Sequence, residues 1–145
     1  MIIPDVNLLL YAHNAAQQDH AFYRAWLEDL VAKRQLALST LAMVAFVRIA
    51  TLPAYRPAPL ASNQAIAALD DLRRQSGVRL LHPGPQHWDR TVALINAARA
   101  SGKLVGDAQH AAIALEYDVE FASADTDFKR FTKLGLRFHL IQAAG

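Results

Sequence analysis

The sequence predicts an α/β domain built on a short, mainly parallel sheet. Five short apolar runs typical of strands alternate with longer segments that have helical periodicity. This alternation favours βαβ units, in which crossover helices make neighbouring strands parallel. The length of 145 residues, with 53% hydrophobic and 19% charged residues, indicates a globular protein with a single domain over residues 1–145.

The predicted strands are short, and the first of them opens the chain. It covers MIIP, where the residue before Pro4 is biased toward extended backbone. Each further strand follows a helical segment, as a parallel sheet requires. These strands are LALS (36–39), VRLL (78–81), VEFAS (119–123) and LRFHLI (136–141).

Apolar residues spaced three or four apart predict helices between the strands. One helix is expected over 17–33, one after LALS, one over 85–100 and one opened by Gly106. Another follows the proline-rich loop 53–62; we expect Ser62 to cap it and the helix to end near Gly77. The periodic residues, helix by helix, are Phe22, Trp26 and Leu30; Leu41, Val44 and Val47; Trp88, Val92 and Ile95; Ala108, Ala111, Ala112 and Leu115; and Ile66, Leu69 and Leu72, which are expected to face inward.

Composition excludes several classes of protein. The absence of cysteine rules out disulfides and thiolate metal sites, and it is compatible with a reducing cytoplasm. The N-terminus has no cationic region and Asp5 interrupts its apolar run, so we do not expect a signal peptide. The longest apolar stretch, 36–47, is shorter than the about 20 residues of a membrane helix. A cytoplasmic protein without a membrane anchor is expected.

Acidic residues occur where the predicted fold brings segments together. Asp5 follows the first strand, and Asp125 and Asp127 follow the fourth, at the sheet edge where open parallel sheets bind ligands. Asp107 is expected at the start of the helix before the fourth strand. Taken singly, Asp107, Asp125 and Asp127 are also explained as helix caps or first-turn acids. The coincidence of four acids favours a shared site.

Electrostatics indicates what such a site needs. Two carboxylates about 6 Å apart repel by about 3 kcal/mol at an effective dielectric constant of 20. Either some of the acids are protonated or a cation lies among them. Oxygen ligands without cysteine favour Mg²⁺ or Mn²⁺, and the six histidines include no H-x-x-x-H pair that would indicate zinc.

Three motifs resemble the PIN-domain ribonucleases, specifically the VapC-type toxins of toxin–antitoxin modules. They are IIPDVNLLLYA, STLAMVAFVRIAT and GDAQHAAIALEYDVEFASADTDFKRF, and they span almost the whole chain in the expected order. The resemblance implies a PIN-like three-layer sandwich with a parallel sheet between helices. It also implies an RNA-cleaving endonuclease that uses Mg²⁺ or Mn²⁺ to activate water, a cognate antitoxin that covers the pocket, and a homodimer.

The resemblance also implies site residues. Asp5 and Asp107 look like the principal metal ligands, Asp125 like a third ligand and Asp127 like an outer acid. Supporting hydrogen bonds are expected from Asn7, Ser39 and Ser123.

One position departs from the family pattern. Many members carry Glu in the frame x-E-F-x-R, where this chain has Ala45. A missing carboxylate predicts weaker cation binding, with one well-held ion. Arg48, one helical turn later, is interpreted as a salt-bridge partner of the acids, or alternatively as a contact to the scissile phosphate.

Other polar residues have open interpretations. His110, one helical turn after Asp107, could neighbour the acids, but it is expected to be structural or solvent-facing. Lys129, Arg130 and Lys133 either form a solvated face or help to hold RNA phosphates. Phe128, Phe131 and Leu134 are expected in the core.

Two other functions compete with the nuclease. A haloacid-dehalogenase-like phosphohydrolase also places an Asp after the first strand, but its D-x-D pattern is here Asp5-Val6-Asn7. A non-catalytic RNA- or protein-binding PIN-like module is suggested by Ala45.

Overall fold

The computed structural model describes residues 1–144, which form five strands and seven helical segments. The strands are β1 (Ile2–Pro4), β2 (Ala37–Ser39), β3 (Arg79–Leu81), β4 (Glu120–Ser123) and β5 (Phe138–Leu140). The α-helices are α1 (Val6–His13), α2 (His20–Ala32), α3 (Thr40–Ala50), α4 (Ser62–Arg73), α5 (His87–Ala98) and α6 (Lys103–Glu116). A 3₁₀ helix covers Thr126–Leu134.

All strand pairings in the described residues are parallel, as predicted. Strands β1, β4 and β5 form one group in the order β1-β4-β5, and β2 pairs with β3. A parallel bridge between Ile2 and Leu36 joins the two groups, so the strand order is β3-β2-β1-β4-β5. The order reverses at β1, and this reversal marks the crevice where open α/β sheets bind ligands.

The register brings the ends of β1 and β4 together. Pro4 lies opposite Ala122, and the Asp5 amide donates a hydrogen bond to the Ala122 carbonyl at 2.7 Å. The next residue of each strand therefore emerges at the same edge. These two residues are Asp5 and Ser123.

The core lies on both faces of the sheet. Successive side chains of a strand point to opposite faces: Ala37 packs with α6 and the 3₁₀ helix, whereas Leu36 and Leu38 pack with helices α1 to α4. Phe121, fully buried on β4, belongs to the first group. Helices on both faces make the three-layer α/β sandwich that the family resemblance implies.

Two helix starts differ from the prediction. Helix α6 begins at Lys103, after Gly102 with φ 58, so Gly106 lies inside the helix and does not open it. Asp107 is consequently in the second turn of α6, not at its start. Ala61, not Ser62, is the N-cap of α4, where the Gln64 side chain accepts from the Ala61 amide at 2.9 Å.

Helix α1 was absent from the prediction, and several helices turn a different face inward. The residues that α3 buries are Ala42, Phe46 and Ala50, and those that α5 buries are Thr91 and Leu94. Several bulky side chains outside these faces are exposed. They include Val44, Ile66, Trp88 and Leu134, so the inward position predicted for Ile66 and the core position predicted for Leu134 are wrong.

Among residues 1–144, each helix is too short or too polar to cross a lipid bilayer.

Candidate metal and nuclease site

Asp5 is held rigidly at the end of β1. It is buried and has extended backbone, and it caps α1 because its Oδ1 accepts a hydrogen bond from the Val6 amide at 2.7 Å. Its Oδ2 accepts from the Ser123 hydroxyl, also at 2.7 Å. Both carboxylate oxygens are thus fixed, one by the first amide of α1 and the other by the last residue of β4.

Ser123 connects four parts of the site. Besides donating to Asp5, its fully buried hydroxyl oxygen accepts from the Asn7 side-chain amide at 3.1 Å and from the Asp125 backbone amide at 3.0 Å. Asn7 also accepts from the Ala124 amide at 3.4 Å through Oδ1. The supporting hydrogen bonds expected from Asn7 and Ser123 are therefore present, and they tie β1, α1 and β4 together.

Asp107 points a buried oxygen at no hydrogen-bond donor. Within residues 1–144 its Oδ2 is inaccessible to solvent and has no partner. Burial, opposed by the Lys103 charge and reinforced by the negative charges of Asp5, Asp127 and Asp125, raises the pKa of Asp107 to about 6. The other three acids therefore lie close enough to Asp107 for their charges to act on it.

The surroundings of Asp5 also disfavour the charged form of its carboxyl group. Burial raises its pKa above the ordinary value, while the Ser123 hydrogen bond and the nearby His110 lower it. Two buried acids that both resist ionisation are the arrangement that a bound cation would relieve.

Asp125 and Asp127 are paired with a lysine. Asp125 caps the 3₁₀ helix by accepting from the Asp127 amide at 3.0 Å, which agrees with the capping interpretation of this acid. The Lys103 ammonium group lies 2.6 Å from Asp125 Oδ2 and 2.9 Å from Asp127 Oδ2. Hydrogen bonding to Lys103 lowers the pKa of Asp125. Lys103 is a site residue that sequence reasoning missed.

His110 lies near the Asp5 carboxylate. It is half-buried beside Phe121, with ring centroids 6.5 Å apart, and in the described chain its Nδ1 is inaccessible and unpartnered. Burial lowers its pKa, and the Asp5 carboxylate opposes this shift. The half-buried ring agrees with the structural interpretation of His110. Its place one helical turn after Asp107 also puts it close enough to Asp5 for the two charges to interact, as the spacing allowed.

The motif STLAMVAFVRIAT supplies fewer contacts to the acids than the family resemblance implies. Ser39 is buried, but its hydroxyl oxygen caps α3 by accepting from the Leu41 amide at 3.2 Å. Arg48 is exposed and forms no salt bridge in the described part of the chain, so its predicted ion pair with the acids is wrong. Ala45 is half-buried on α3.

The donor set fits a hard divalent cation in part. All four acids offer oxygen ligands, and the unpartnered Oδ2 of Asp107 is the atom that a cation would satisfy. Residues 1–144 nevertheless contain no three His, Cys, Asp or Glu side chains already arranged around one metal position. Asp125 and Asp127 turn instead to Lys103. Asp5 and Asp107, the inner acids, are therefore positioned to hold a cation. Asp125 and Asp127, the outer acids, are paired with the Lys103 ammonium group.

The comparison with protein families decides the family. The PIN domain matches residues 2–134. The chain belongs to the PIN-domain family. This membership confirms the resemblance and excludes the haloacid-dehalogenase-like alternative.

Named relatives place the chain among the VapC ribonucleases. Ribonuclease VapC33 of Mycobacterium tuberculosis is 41% identical over 135 residues, covering 92% of this chain and 94% of the relative. VapC ribonuclease Mb2897 of Mycobacterium bovis is 36% identical over 141 residues, covering 97% and 96%.

Solved structures support the PIN fold. VapBC2 from Rickettsia felis, solved with a DNA fragment from its promoter, aligns with a TM-score of 0.70 and 16% identity, covering 97% of this chain and 98% of that chain. Mycobacterium tuberculosis VapC20, described as a toxin that cleaves the sarcin-ricin loop, aligns with a TM-score of 0.64 and 17% identity, covering 94% and 96%. At these identities the likeness shows the fold alone.

Proposed function

We propose that this PIN-domain protein is the toxin of a type II toxin–antitoxin pair and cleaves RNA endonucleolytically with Mg²⁺ or Mn²⁺. The observation that carries the proposal is the unpartnered Asp107 oxygen in a cluster of mutually repelling acids. Such a cluster is suited to a divalent ion, and the relatives at 36–41% identity are named ribonucleases. When bound, the ion supplies an activated water and stabilises charge that develops on the phosphodiester.

The residues divide into ligands and supports. Asp5 and Asp107 would hold the ion from the buried side, and Asp125 would complete the site once it is free of Lys103. Ser123 keeps Asp5 Oδ2 in place and, through the Asp125 amide, fixes the start of the 3₁₀ helix. Asp127, more exposed than Asp125, suits an outer role such as orienting water.

Exposed cations flank the acids and suit a polyanionic substrate. Lys129, Arg130 and Lys133 are all exposed on the 3₁₀ helix that begins at Asp125, and none forms a salt bridge within residues 1–144. Free cations beside a cleavage site attract phosphates and make binding salt-dependent. This favours the RNA-binding interpretation of the three residues over a merely solvated face.

The residue at position 45, Ala45, affects how many divalent cations the site can bind. Because α3 supplies no carboxylate at this position, the site has four acids and one internal ammonium group. We infer one well-held cation per chain. A calorimetric Mn²⁺ titration that gives two tight sites would refute this stoichiometry.

The proposal includes partners and context. A cavity of about 540 Å³ lies between helices α1 to α4; apolar residues such as Leu9, Phe46 and Leu69 line it beside charged Arg24 and Asp71. It offers a surface for an apolar segment of an antitoxin. The solved relatives that contain both VapB and VapC are consistent with such a complex. We further propose a homodimer, a cytoplasmic location and a single PIN-like domain over 1–145.

The direct test is RNA cleavage by the purified chain with EDTA, Mg²⁺ or Mn²⁺. We expect metal-dependent cutting that Asp5→Asn and Asp107→Asn abolish. Asp71→Asn is a matched control, because Asp71 is an exposed helical acid outside the site. Metal-dependent cutting that persists in both site variants would overturn the assignment, and cutting in EDTA would overturn the metal requirement.

A further inference from the structure

Lys103 makes a contact that neither the fold nor the nuclease chemistry requires. Its ammonium group bridges Asp125 and Asp127, which lie 22 and 24 residues later in the chain. Lys103 is the first residue of α6, and Asp107 lies one turn further along the same helix. The lysine therefore spans the two elements that supply the outer and inner acids.

Stability does not explain this placement. The Lys103 side chain is 69% exposed, and exposed ion pairs contribute little to folding because water and salt screen them. A positive charge in the first turn also opposes the helix dipole, which favours acids there. Lys103 thus lies at a position that is unfavourable for its own helix, and the carboxylates it contacts are those that the proposed nuclease site needs.

We propose that Lys103 is an internal cation that competes with the divalent ion for Asp125 and Asp127. This inference rests on the proposed function and adds a residue to it. The ammonium group neutralises the outer acids and holds them at the start of α6. Asp125 would help to hold a divalent ion in place of Lys103, and the Lys103 side chain would then extend toward the exposed rim.

The geometry supports exchange over a permanent structural role. Asp125 keeps its Oδ1 hydrogen bond to the Asp127 amide while only Oδ2 contacts Lys103, so the carboxylate can change partner without losing its cap. The long, exposed lysine side chain can leave without opening the core. Asp5 and Asp107 make no salt bridge with Lys103 and remain available to the ion throughout.

The test is a calorimetric Mn²⁺ titration of the full chain against Lys103→Met, which removes the charge and keeps the length. Removing one positive charge about 6 Å from a divalent ion in a water-like dielectric corresponds to about tenfold tighter binding. Lys129→Met is the matched control, because Lys129 is exposed nearby and contacts neither acid. We expect its Mn²⁺ affinity to change by less than about twofold, since salt screens more distant charges. Lys103→Arg should restore the weaker binding.

Each outcome is informative. Equal affinity of Lys103→Met and the unaltered chain would overturn the Lys103 role and leave the metal site standing, as would equal tightening in Lys103→Met and Lys129→Met. No Mn²⁺ binding by any chain would overturn both this inference and the metal requirement of the proposed function.

A second measurement needs no variant. The Lys103 ammonium resonance of the unaltered chain, followed by NMR during Mg²⁺ titration, should move toward that of a free lysine. A resonance unchanged at saturating Mg²⁺ would contradict the exchange.

Discussion

The strand-end half of the site and its helical half are built in opposite ways. At the strand ends, both Asp5 oxygens accept hydrogen bonds, and Ser123 joins Asn7 and Asp125 to the same centre. On the helical side, Asp107 has an oxygen with no partner in the described residues, and Asp125 and Asp127 contact a flexible lysine. The strand-end half is therefore preorganised by hydrogen bonds, whereas the helical half needs a ligand to satisfy its acids.

The difference follows from the backbone. Parallel strands in register fix the residues that follow them, so Asp5 and Ser123 meet whatever else the chain does. Helix α6 and the 3₁₀ helix are placed by packing on the sheet, and their polar side chains reach the crevice from the side. The acids of the helical half are therefore less constrained by hydrogen bonds than Asp5.

The largest effect is expected from Asp107→Asn, which removes the unsatisfied carboxylate of the helical half. RNA cleavage in Mn²⁺ should fall at least about a hundredfold, since the ion loses a ligand at the centre of the site. Initial rates on a single-stranded RNA, with circular dichroism to confirm folding, measure this. The control Asp71→Asn should retain full activity. A loss of less than about tenfold in Asp107→Asn would mean that the strand-end half of the site binds the ion without Asp107.

Ser123→Ala tests the preorganised half. It removes the partner of Asp5 Oδ2, the Asn7 amide and the Asp125 amide together, so the free energy of unfolding should fall by about 2–3 kcal/mol. Urea denaturation measures the change. Ser76→Ala, at an exposed turn, is the control and should change stability by less than about 0.5 kcal/mol. A similarly small change in Ser123→Ala would show that the hydrogen-bonded centre is not rigid.

The helical half should make stability depend on pH when no divalent ion is present. Because the folded pKa of Asp107 is about 6, above the ordinary 3.8, the folded state holds its proton more tightly than the unfolded state. Stability is therefore highest below about pH 4 from this group and falls by about 2 kcal/mol as the pH rises through about 6. Asp5, whose pKa is also raised, acts in the same direction.

Asp107→Asn isolates that contribution. In EDTA at pH 8 the variant should be more stable than the unaltered chain by about 2 kcal/mol, with a flatter profile between pH 4 and 6. Urea midpoints across this range measure both quantities. A variant that is less stable at pH 8 would show that the Asp107 carboxylate is already satisfied.

The smallest effect is expected from Ala45→Glu. A new carboxylate on half-buried α3 should tighten Mn²⁺ binding by about tenfold or less, because it adds one more oxygen ligand or outer charge. Titration calorimetry gives the affinity. Unchanged binding would mean that position 45 does not face the acids.

Sequence reasoning predicted the sheet better than the helices. Strand ends follow from local apolar runs, and the edge rule placed Asp5 beside the acids that follow the fourth strand; in the structure Ser123 links Asp5 to the Asp125 amide. The start of α6 was misplaced because Gly106 was taken as a helix opener, whereas Gly102, with its positive φ, takes that position. Helix α1 was not predicted because VNLLLYAH is apolar on nearly every side and shows no helical periodicity.

The acids were predicted, but their present partners were not. The contact of Lys103 with Asp125 and Asp127 depends on how α6 packs beside the 3₁₀ helix, which no local pattern records. Arg48 was paired with the acids by helical spacing alone, yet the rotation of α3 exposes it. Charge–charge contacts between distant elements require the tertiary structure.

The central claim is that the acids converge on one divalent ion, with Asp107 as the ligand that now lacks a partner. The most direct measurement is Mn²⁺ binding to the unaltered chain, Asp107→Asn and the Asp71→Asn control, by titration calorimetry at pH 7.5. We predict one binding event in the unaltered chain and the control, and none in Asp107→Asn. Equal Mn²⁺ affinity in all three chains would contradict the claim.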